Sequence, residues 1–352
     1  MKVKTLICLT FIVLTIALFN VGVWAQTTGS TYQEKLANGP VPTARTGSHD
    51  RGYIQFKTYA FKVHRSHPSI AVLEQSEEPD FKTVPVPFKY GAEFAYKAEG
   101  GWNGTNGFGF RSSYFYTDQK AQENRTGSTA PPFFESTNPL GVGFTGNADP
   151  NTPATYKEHL RLDVGDIEGS YKRVAEKHFL LFSAGLRIAR IRQLYSADDS
   201  FGVSLGGGFE RLRYQQTRTG VGPTGAAEFR YRLGDSSIWW TGSARLSVIF
   251  GTNKETADYA RLFFSVSNSK SRSSKPKSFV FEGESGLEWN HKFSSMRSIF
   301  AGGSFIFHNW NDLLVVTPAG LPGDKFDDPR QPPAKMTALR FIGGSVSIGF
   351  RF

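Results

Sequence analysis

Apolar and polar residues alternate along much of the chain beyond residue 52, and the segment 238–250 shows this pattern most clearly. Its even positions are apolar from Ile238 to Phe250 apart from Gly242, whereas its odd positions from Thr241 to Ser247 are Thr, Ser or Arg. Side chains of a β-strand point to opposite faces in turn, so this segment predicts a strand with one apolar and one polar face. The same alternation occurs in 180–188, 223–233 and 279–289.

Strands of about ten to fourteen residues are predicted along the whole chain beyond residue 52, and helix-like segments that could cover a sheet are scarce. A single sheet of such strands must close or expose its edges, and in a membrane it must close. We therefore predict an all-β fold: one closed antiparallel transmembrane β-barrel of about 12 strands, with 10–14 as the range. The stretches 118–157 and 310–337 are rich in Pro, Gly, Asn and Asp and are predicted as long outer loops. The predicted strands are 52–64, 86–98, 107–117, 158–171, 178–191, 201–215, 221–233, 237–250, 259–268, 278–290, 297–309 and 338–352.

The polar faces of these strands carry Arg and Glu, which would point into the lumen if the apolar faces contact lipid. Charged rings in a pore select ions by sign, and the excess of arginine favours anions. A second interpretation is that Arg and Glu pair across neighbouring strands and hold a narrow barrel closed. The candidate pore-lining residues are Arg187, Glu228, Arg230, Arg232, Arg245, Arg261, Glu282, Glu284 and Glu288, with Arg351 on the same parity. Aromatic residues near strand ends are predicted to form interfacial girdles: Tyr53, Tyr114, Tyr116, Trp239, Trp289 and Trp310.

The first 25 residues have the pattern of a secretory signal peptide. Lys2 and Lys4 precede an apolar stretch over 6–19, and 23–25 fits a cleavage site. The apolar stretch is short for a membrane anchor, which is the competing interpretation. We predict a flexible lead-in over 26–51, a barrel over 52–352, and export to the outer membrane of a Gram-negative-type bacterium. The single cysteine, Cys8, lies within the signal, which fits an exported chain.

The composition argues against several other classes of protein. The formal charge of +10 comes from dispersed basic residues, so nucleic acid is not a predicted partner. An outer-membrane hydrolase would need a Ser/His or Asp/His arrangement, and the histidines are scattered. We therefore predict no catalytic residues, no cofactor and no metal site. Aromatic residues at 14% and 37 glycines fit an exported membrane barrel.

Three segments resemble a known family of exported proteins: SAGLRIARIRQ (183–193), GVGPTGAAEFRYRL (220–233) and SSIWWTGSARLSVIFG (236–251). With RLDVGDIEGSY (161–171) and GESGLEWNH (283–291), they resemble the Legionella major outer membrane protein-like family in order and spacing. The resemblance implies an outer-membrane barrel with a water-filled pore, and members have also been linked to surface adhesion. Such barrels commonly end on an aromatic residue that the barrel-assembly machinery recognises, which implicates Phe350 and Phe352 as an assembly signal.

Two functions follow from the sequence. The first is a porin-like channel for passive diffusion of ions and small hydrophilic solutes through a charged lumen. The alternative is a sealed outer-membrane barrel that acts as a surface adhesin or envelope scaffold through its long loops. Many inward positions are Gly or Ser, which favours the open channel. The predicted partners are outer-membrane lipid and lipopolysaccharide, the barrel-assembly machinery and small hydrophilic solutes, and a homo-oligomer is left open.

Overall fold

The computed structural model describes fifteen β-strands. They are β1 (Gly52–Arg65), β2 (Ala71–Gln75), β3 (Thr83–Val86), β4 (Glu93–Asn103), β5 (Phe108–Arg125), β6 (Phe134–Thr137), β7 (Phe144–Gly146), β8 (Ala154–Val174), β9 (His178–Phe201), β10 (Gly208–Arg232), β11 (Ile238–Arg261), β12 (Val266–Ser274), β13 (Lys277–Lys292), β14 (Ser298–Val316) and β15 (Lys335–Arg351). The described residues are 52–65, 71–75, 83–86, 88, 90–91, 93–104, 106–125, 134–137, 144–146, 154–175, 177–201, 208–261, 266–294, 297–316 and 335–352. The predicted signal peptide and lead-in lie outside these residues.

The long strands form a closed antiparallel barrel. Each pairs with the next long strand along the chain, in the order β1, β4, β5, β8, β9, β10, β11, β13, β14 and β15, and β15 pairs back onto β1. The barrel therefore has ten strands, at the lower limit of the predicted range, and the predicted all-β barrel is confirmed. Strand β12 extends this wall, because it pairs with β11 in the same register that β13 does. The two are halves of one strand, interrupted at Pro276, which has no N–H to donate.

Several predicted boundaries were wrong. Most of the predicted strands were too short, whereas the predicted strand 86–98 began too early, because β4 runs from Glu93 to Asn103. The predicted strands 201–215 and 221–233 form one strand, β10, of 25 residues. The predicted strand 259–268 is the end of β11 and the start of β12, on either side of 262–265. The predicted loop 118–157 is strand at both its ends, since β5 continues to Arg125 and β8 begins at Ala154; the loop 310–337 is likewise shortened by β14 and β15.

The two ends of the barrel differ. At one end, here called the short-turn end, residues 104–107, 175–177, 233–237 and 293–297 connect neighbouring strands. Gly107 and Gly234 adopt positive φ in two of these turns, a conformation that glycine reaches without strain. At this end the start of β1 and the residue after β15 are joined by two reciprocal backbone hydrogen bonds, of 2.8 and 2.9 Å, between Gly52 and Phe352. The opposite end, the long-loop end, carries the longer connections.

A second, smaller sheet belongs to the connections at the long-loop end. Strands β2, β3, β6 and β7 form it in the order β3-β2-β6-β7. β2 and β3 lie in the connection between β1 and β4, and β6 and β7 lie in the connection between β5 and β8. Its strands are three to five residues long, against 11 to 25 in the barrel. No helix in the described part of the chain is long and apolar enough to cross a membrane.

The outer face of the barrel is apolar next to the short-turn end. On β11 this face runs from Ile238 to Phe250, and on β9 it ends at Ile188. Large exposed hydrophobic patches mark surfaces that are not meant for water, and membrane-spanning strands need about 9–11 residues. We call this surface the apolar belt; its exposed members include Ile54, Phe56, Phe94, Tyr96, Trp102, Phe108, Phe110, Ile167, Tyr171, Leu186, Ile188, Val221, Tyr231, Ile238, Trp240, Phe250, Phe279, Leu287, Trp289, Phe305, Val346, Ile348, Phe350 and Phe352.

The hydrophobic face of the strands changes sides partway along the barrel. On β8, Ile167 and Tyr171 face outward near the short-turn end, whereas Leu160 and Leu162, farther along, face inward and are buried. On β9, Ile188 is exposed and Ile191 is buried inside. Near the short-turn end the barrel is therefore apolar outside and polar inside, and beyond it the reverse holds. The first arrangement is that of a membrane barrel and the second that of a water-soluble one.

Candidate functional site

The lumen next to the short-turn end contains a network of ion pairs. Because the apolar face of each strand points outward here, its alternate residues bring charged side chains inward. Among the described residues the network has equal numbers of cations and carboxylates. We call it the charged layer; it consists of Lys57, Lys97, Glu99, Arg111, Asp166, Glu168, Arg187, Glu228, Arg230, Arg245, Glu282, Glu284, Glu288 and Arg351.

Several of these ion pairs cross the lumen instead of joining neighbouring strands. Lys57 on β1 lies 2.6 Å from Glu284 on β13, two strands separating them in the wall. Arg111 on β5 bonds Glu228 on β10 in the same way. Arg and Glu therefore pair across the lumen as well as across neighbouring strands, as in the pair of Arg187 with Asp166. A guanidinium or ammonium group that reaches across the lumen occupies space that a solute would need.

Arg187 lies at the centre of the charged layer. Its guanidinium donates to both carboxylate oxygens of Asp166, at 2.7 and 3.0 Å, and to both of Glu282, at 2.8 and 2.9 Å. Bidentate pairs of this kind are short, directional and about twice as strong as neutral hydrogen bonds. The Arg187 side chain is 2% exposed, so water screens these pairs little. Asp166 comes from the adjacent strand β8, and Glu282 comes from β13 across the lumen.

Two further arginines share the carboxylate of Glu168. Arg111 and Arg245 both bond it, and Ser183 donates to it at 3.0 Å. Arg245 also lies 3.2 Å from Asp166, which links this group to that of Arg187. Each carboxylate in this part of the layer thus has more than one donor. Such a network holds several strands in a fixed arrangement, because moving one side chain leaves another buried charge uncompensated.

The ion pairs nearest the short-turn end involve the last strand. Arg351 lies 2.7 Å from Glu288 and its guanidinium carbon is 4.0 Å from the ring centre of Phe300. Arg230 lies 3.5 Å from the same Glu288. The stacking on Phe300 is a cation–π contact, which adds to the ion pair. Arg351, on the polar face of the C-terminal strand β15, therefore forms the edge of the charged layer at the short-turn end.

Above the charged layer, toward the long-loop end, the lumen is filled by apolar side chains. Tyr59, Phe115 and Trp310 all point into the lumen. An open lumen would leave these side chains exposed to water, but Tyr59 and Trp310 are each 1% exposed and Phe115 is 8% exposed. These side chains come from strands all around the wall and form one cluster. We call it the apolar layer; its members are Tyr59, Phe61, Ala95, Phe115, Leu160, Leu162, Val164, Ala189, Ile191, Ile249, Val280, Ile306, Trp310, Leu339 and Phe341.

His308 connects the two layers. Its ring centre lies 6.1 Å from those of Tyr59 and Phe115 and 6.4 Å from that of Phe341, so aromatic rings of three strands surround it. It lies opposite Glu282 in the register of β13 and β14. Edge-to-face packing of aromatic rings stabilises such a cluster beyond simple burial. The imidazole thus helps to bind the apolar layer to the charged layer.

Beyond the apolar layer the interior is again polar but remains packed. Gln119, Gln193 and Gln216 point inward and are buried. The segment before β4 also contributes to this region. Tyr90 donates a hydrogen bond of 2.5 Å to Glu158, and the ring of Phe88 packs on that of Tyr195 at 5.9 Å between centres. Residues that precede β4 therefore contact inward-facing side chains of β8 and β9.

A cavity lies within the charged layer. Its volume is about 70 Å³, which holds a handful of water molecules. Small side chains leave this space, among them Ser243, Gly302, Ser304 and Ser347, and charged residues such as Lys97 border it. The small inward residues noted in the sequence thus do leave room near the short-turn end, whereas at the level of the apolar layer the lumen is filled.

Most of the sequence-predicted pore-lining residues face the lumen. Arg187, Glu228, Arg230, Arg245, Glu282, Glu284 and Glu288 all belong to the charged layer. Arg232 does not: its guanidinium donates to the backbone carbonyls of Asp235 at 3.1 Å and Ser236 at 2.9 Å. Arg232 does lie on the polar parity of β10, but the strand ends at this residue and its side chain stabilises the turn that follows. The backbone of Arg261 ends β11, and its side chain lies outside the described residues.

The terminal aromatic residues face outward. Phe350 and Phe352 are 40% and 49% exposed, and their rings stack with centres 6.0 Å apart. Three of the residues predicted for interfacial girdles are wrongly assigned. Trp239 lies opposite the lumenal Glu288, on the inward parity of β11. Tyr53 donates a 2.8 Å hydrogen bond to Glu99 in the lumen, and Trp310 is part of the apolar layer. All three side chains are on the inward-facing parity of their strands. The girdle prediction used only the position of a residue along its strand and did not take into account which face it is on.

About half of the charged layer and all of the apolar layer were not predicted from the sequence. Asp166 and Glu168 flank Ile167 within a predicted strand, so their shared parity was readable from the sequence. Lys57 lay in the predicted strand 52–64, and Glu99 lay one residue beyond the predicted strand 86–98. The apolar layer was missed because every apolar side chain was expected to face lipid, an assumption that fails where the strands change faces.

The described residues include no group of three or more His, Cys, Asp or Glu side chains arranged to hold a metal ion. Asp118 and His159 form a pair on the outer face, both about one-third exposed. The residues around them on β5 and β8 are Tyr116 and Arg161, and the guanidinium of Arg161 lies 5.0 Å from the Tyr116 ring centre. This pair lies at the surface of the wall.

No protein-family model matches the chain, and no curated protein sequence is significantly similar to it. Among solved structures, the chain is similar to the outer membrane protease OmpT from Escherichia coli, with a TM-score of 0.45 and 10% identity over 87% of this chain and 98% of that one. It is also similar to the P. putida toluene transporter TodX (TM-score 0.31, 9% identity, 86% and 90% covered). A third is Ail, the attachment invasion locus protein of Yersinia pestis (TM-score 0.19, 10% identity, 86% and 99% covered). At these values the similarities identify no function, and the barrel is established by the strand pairing of this chain itself.

Proposed function

We propose that this protein is an outer-membrane β-barrel whose lumen is closed in the folded state and which acts at the cell surface, as an adhesin or envelope scaffold, through its long-loop end. The observation that carries the proposal is the apolar layer, which fills the lumen with side chains from around the wall. A conducting pore would need a continuous water-filled path at this level. The sealed barrel is therefore preferred over the porin-like channel that the inward Gly and Ser residues favour.

Placement in a membrane is supported by the apolar belt. Exposed aromatic and aliphatic side chains surround the barrel at one level, and an apolar band about 25 Å tall is typical of outer-membrane barrels. Short turns at one end and longer connections at the other are typical of the same class. The predicted export signal and C-terminal aromatic residues are consistent with this location. The short-turn end would then face the periplasm and the long-loop end the outside of the cell.

The free energy needed to expose the buried side chains of the apolar layer also supports a closed lumen. Exposing one buried aromatic or aliphatic side chain to water costs about 1.5–3 kcal/mol. A path through the apolar layer requires at least Tyr59, Phe115 and Phe341 to move, because their rings contact one another through His308. At about 1.4 kcal/mol per factor of ten, such an opening is populated in fewer than about one molecule in 1,000.

A role outside the membrane is supported by the length of the strands. β10 has 25 residues, which extend over roughly 80 Å at about 3.3 Å per residue. The apolar belt uses only its part from Val221 to Tyr231. The rest of the strand is polar outside and packed inside, as in a water-soluble barrel. A rigid barrel that extends beyond the membrane holds its connections away from the lipid surface, where they can contact other molecules.

A diffusion pore is the second candidate, and the cavity in the charged layer favours it. This cavity is bordered by charged and small residues, as a pore vestibule would be. For it to conduct, the apolar layer would have to rearrange. The equal numbers of cations and carboxylates in the charged layer do not favour anions, so the weak anion preference expected from the arginine excess would come from other residues.

Solute flux into liposomes tests closure. The wild-type barrel is expected to cause no swelling in an iso-osmotic sugar, whereas the Phe115→Ala/Phe341→Ala double variant is expected to admit solute because it removes two rings from the apolar layer. Phe305→Ala is the matched control, since Phe305 is 60% exposed on the outer face of β14. Swelling by the wild type at the rate of the double variant would establish the diffusion pore and contradict the sealed barrel.

Attachment of whole cells tests the surface role. Cells that express the protein are expected to bind epithelial monolayers more than cells with an empty vector. Replacement of residues 319–332, between β14 and β15, by a Gly-Ser linker of equal length should reduce binding while the barrel still migrates as a folded, heat-modifiable band. Equal binding by vector and wild-type cells would contradict the adhesin and leave the scaffold role, which a defect in outer-membrane integrity on deletion of the gene would show.

A further inference from the structure

Arginine side chains lie on the outer face of the barrel where the apolar belt ends. On β9 the outward positions are Leu186 and Ile188, both exposed in the belt, and then Arg190 and Arg192. Arg190 is exposed and Arg192 is half-buried. Other strands also place outward basic residues just beyond the belt: Lys62, Lys254, Lys277 and Arg340. The belt thus ends in a basic edge on the side of the long-loop end.

The neighbours of Arg190 and Arg192 concentrate positive charge at one place. Arg161 on β8 lies directly opposite Arg192, and like charges opposite each other destabilise a sheet. Asp163 lies opposite Arg190, but both of its carboxylate oxygens accept from Arg161, at 3.0 and 3.1 Å. Tyr114 donates to the same carboxylate at 2.9 Å. Asp163 therefore already accepts three hydrogen bonds from groups other than the two β9 arginines.

Arg192 lacks a partner for part of its guanidinium. Its Nε is buried and finds no acceptor in the described part of the chain. Because this Nε is buried, an external phosphate would bind the terminal nitrogens of the Arg192 guanidinium instead. On the other side of β9, Thr219 and Thr217 on β10 lie opposite Arg190 and Arg192. Two guanidinium groups beside two hydroxyl groups offer several donors to one tetrahedral oxyanion, the pattern that binds phosphate.

The position of these donors selects the ligand. Apolar side chains of Leu186, Ile188 and Val221 lie on the same outer face, next to the arginines and toward the membrane centre. A phosphate attached to acyl chains can place its chains along these residues and its charge at the arginines. Each basic residue near a membrane surface adds to the binding of anionic lipids. A soluble phosphate would use only the polar half of this surface.

We propose that Arg190 and Arg192, with Thr217 and Thr219, form a binding site for the phosphate group of a phosphorylated membrane lipid on the outer face of β9 and β10. This inference rests on the membrane placement in the proposed function. It goes beyond that placement, because it assigns one lipid chemistry to one place on the barrel wall. The lipid would be held at the outer leaflet, with its headgroup beside the strands that extend out of the membrane.

Lipid retention by the purified full-length protein tests the site. Native mass spectrometry in detergent would compare phosphatidic acid, phosphatidylcholine and inorganic phosphate as probes. Phosphatidic acid is expected to bind the wild type most tightly, and R190Q/R192Q is expected to weaken its binding at least about twentyfold, since each basic residue at a membrane surface contributes severalfold. R190Q alone, at an exposed position, is expected to give an intermediate loss. K62Q/K277Q is the matched control, because it removes two basic residues from other strands of the same edge, and it should change binding less than about threefold.

Each other result overturns the site in a distinct way. Equal retention by the wild type and R190Q/R192Q would exclude the two arginines. Equal loss in R190Q/R192Q and K62Q/K277Q would show a diffuse basic edge without a specific site. Inorganic phosphate that binds as tightly as the lipid would assign the site to a soluble anion. Co-flotation with liposomes is measured in parallel: a chain that does not float contradicts the membrane placement itself, whereas one that floats and ignores phosphatidic acid contradicts only the lipid site.

Discussion

Replacement of Arg187 by glutamine is expected to destabilise the barrel strongly. The guanidinium holds two carboxylates from opposite sides of the lumen, with four hydrogen bonds of 2.7–3.0 Å to Asp166 and Glu282. Glutamine is neutral and has a single amide group, so Arg187→Gln leaves both carboxylates without the cation they share. Buried ionised carboxylates are costly unless they are paired.

The expected magnitude follows from the surroundings of these carboxylates. Removal of one partner from a buried ion pair typically costs about 3–5 kcal/mol. Here Arg245 remains nearby, 3.2 Å from Asp166 and 3.6 Å from Glu282, and compensates part of the loss. We therefore expect about 3 kcal/mol, at the lower end of that range. This corresponds to a change of more than about a hundredfold in the unfolding equilibrium.

Equilibrium unfolding in urea, with the barrel in lipid vesicles and tryptophan fluorescence as the signal, measures this change. The control is Arg161→Gln on the outer face, where the pair with Asp163 is partly exposed and pairs near the surface contribute little. A triple variant, R187Q/D166N/E282Q, removes the orphaned charges and is expected to regain most of the lost stability. If R187Q unfolds at the same urea concentration as R161Q, or if the triple variant is as unstable as R187Q, the network does not hold the lumen as described.

Three further predictions concern single residues. Gly222→Ala should destabilise the barrel by about 1–3 kcal/mol, because a Cβ there would lie 1.7 Å from the carbonyl oxygen of Val248, whereas at Gly225 the nearest atom is 3.7 Å away and Gly225→Ala should be close to neutral in the same unfolding assay. Arg232→Ala should leave solute flux through the leaky Phe115→Ala/Phe341→Ala variant unchanged, because the guanidinium of Arg232 donates hydrogen bonds to backbone carbonyls of the turn. A change in flux would show that Arg232 faces the lumen after all. Phe352→Ala should lower the amount of folded barrel in the outer membrane of expressing cells without shifting the unfolding midpoint of the refolded protein, because its ring is half-exposed and its backbone bonds to Gly52 persist. An unchanged amount in the membrane would contradict its role as an assembly signal.

The alternation of residues was enough to predict the barrel and the direction of its charged side chains near the short-turn end. In β11 and β13 the odd and even positions point as the sequence indicates, so Arg245 and Glu282 were placed correctly. Period-two patterns carry this information because a strand has only two faces. Cross-lumen partners could not be predicted, since the pairing of Arg187 with Glu282 depends on the circumference of the closed barrel.

The change of hydrophobic face explains most of what was missed. In RLDVGDIEGSY the apolar residues Leu162 and Val164 are on the parity of Asp166 and Glu168, opposite to that of Ile167. The switch is visible in the sequence, but it was not interpreted, because every strand was assumed to end within the membrane. For the same reason the strands were predicted too short, and polar outward residues beyond the belt were assigned to loops.

Single-channel recording in a planar bilayer tests the closed lumen most directly. The wild-type protein, purified in folded form from outer membranes, would be added to one side and recorded at two salt concentrations. The apolar layer predicts that the inserted barrel passes no discrete current steps, while Phe115→Ala/Phe341→Ala gives steps that grow with salt concentration. Regular, salt-proportional steps from the wild type would contradict a sealed lumen and establish a water-filled pore.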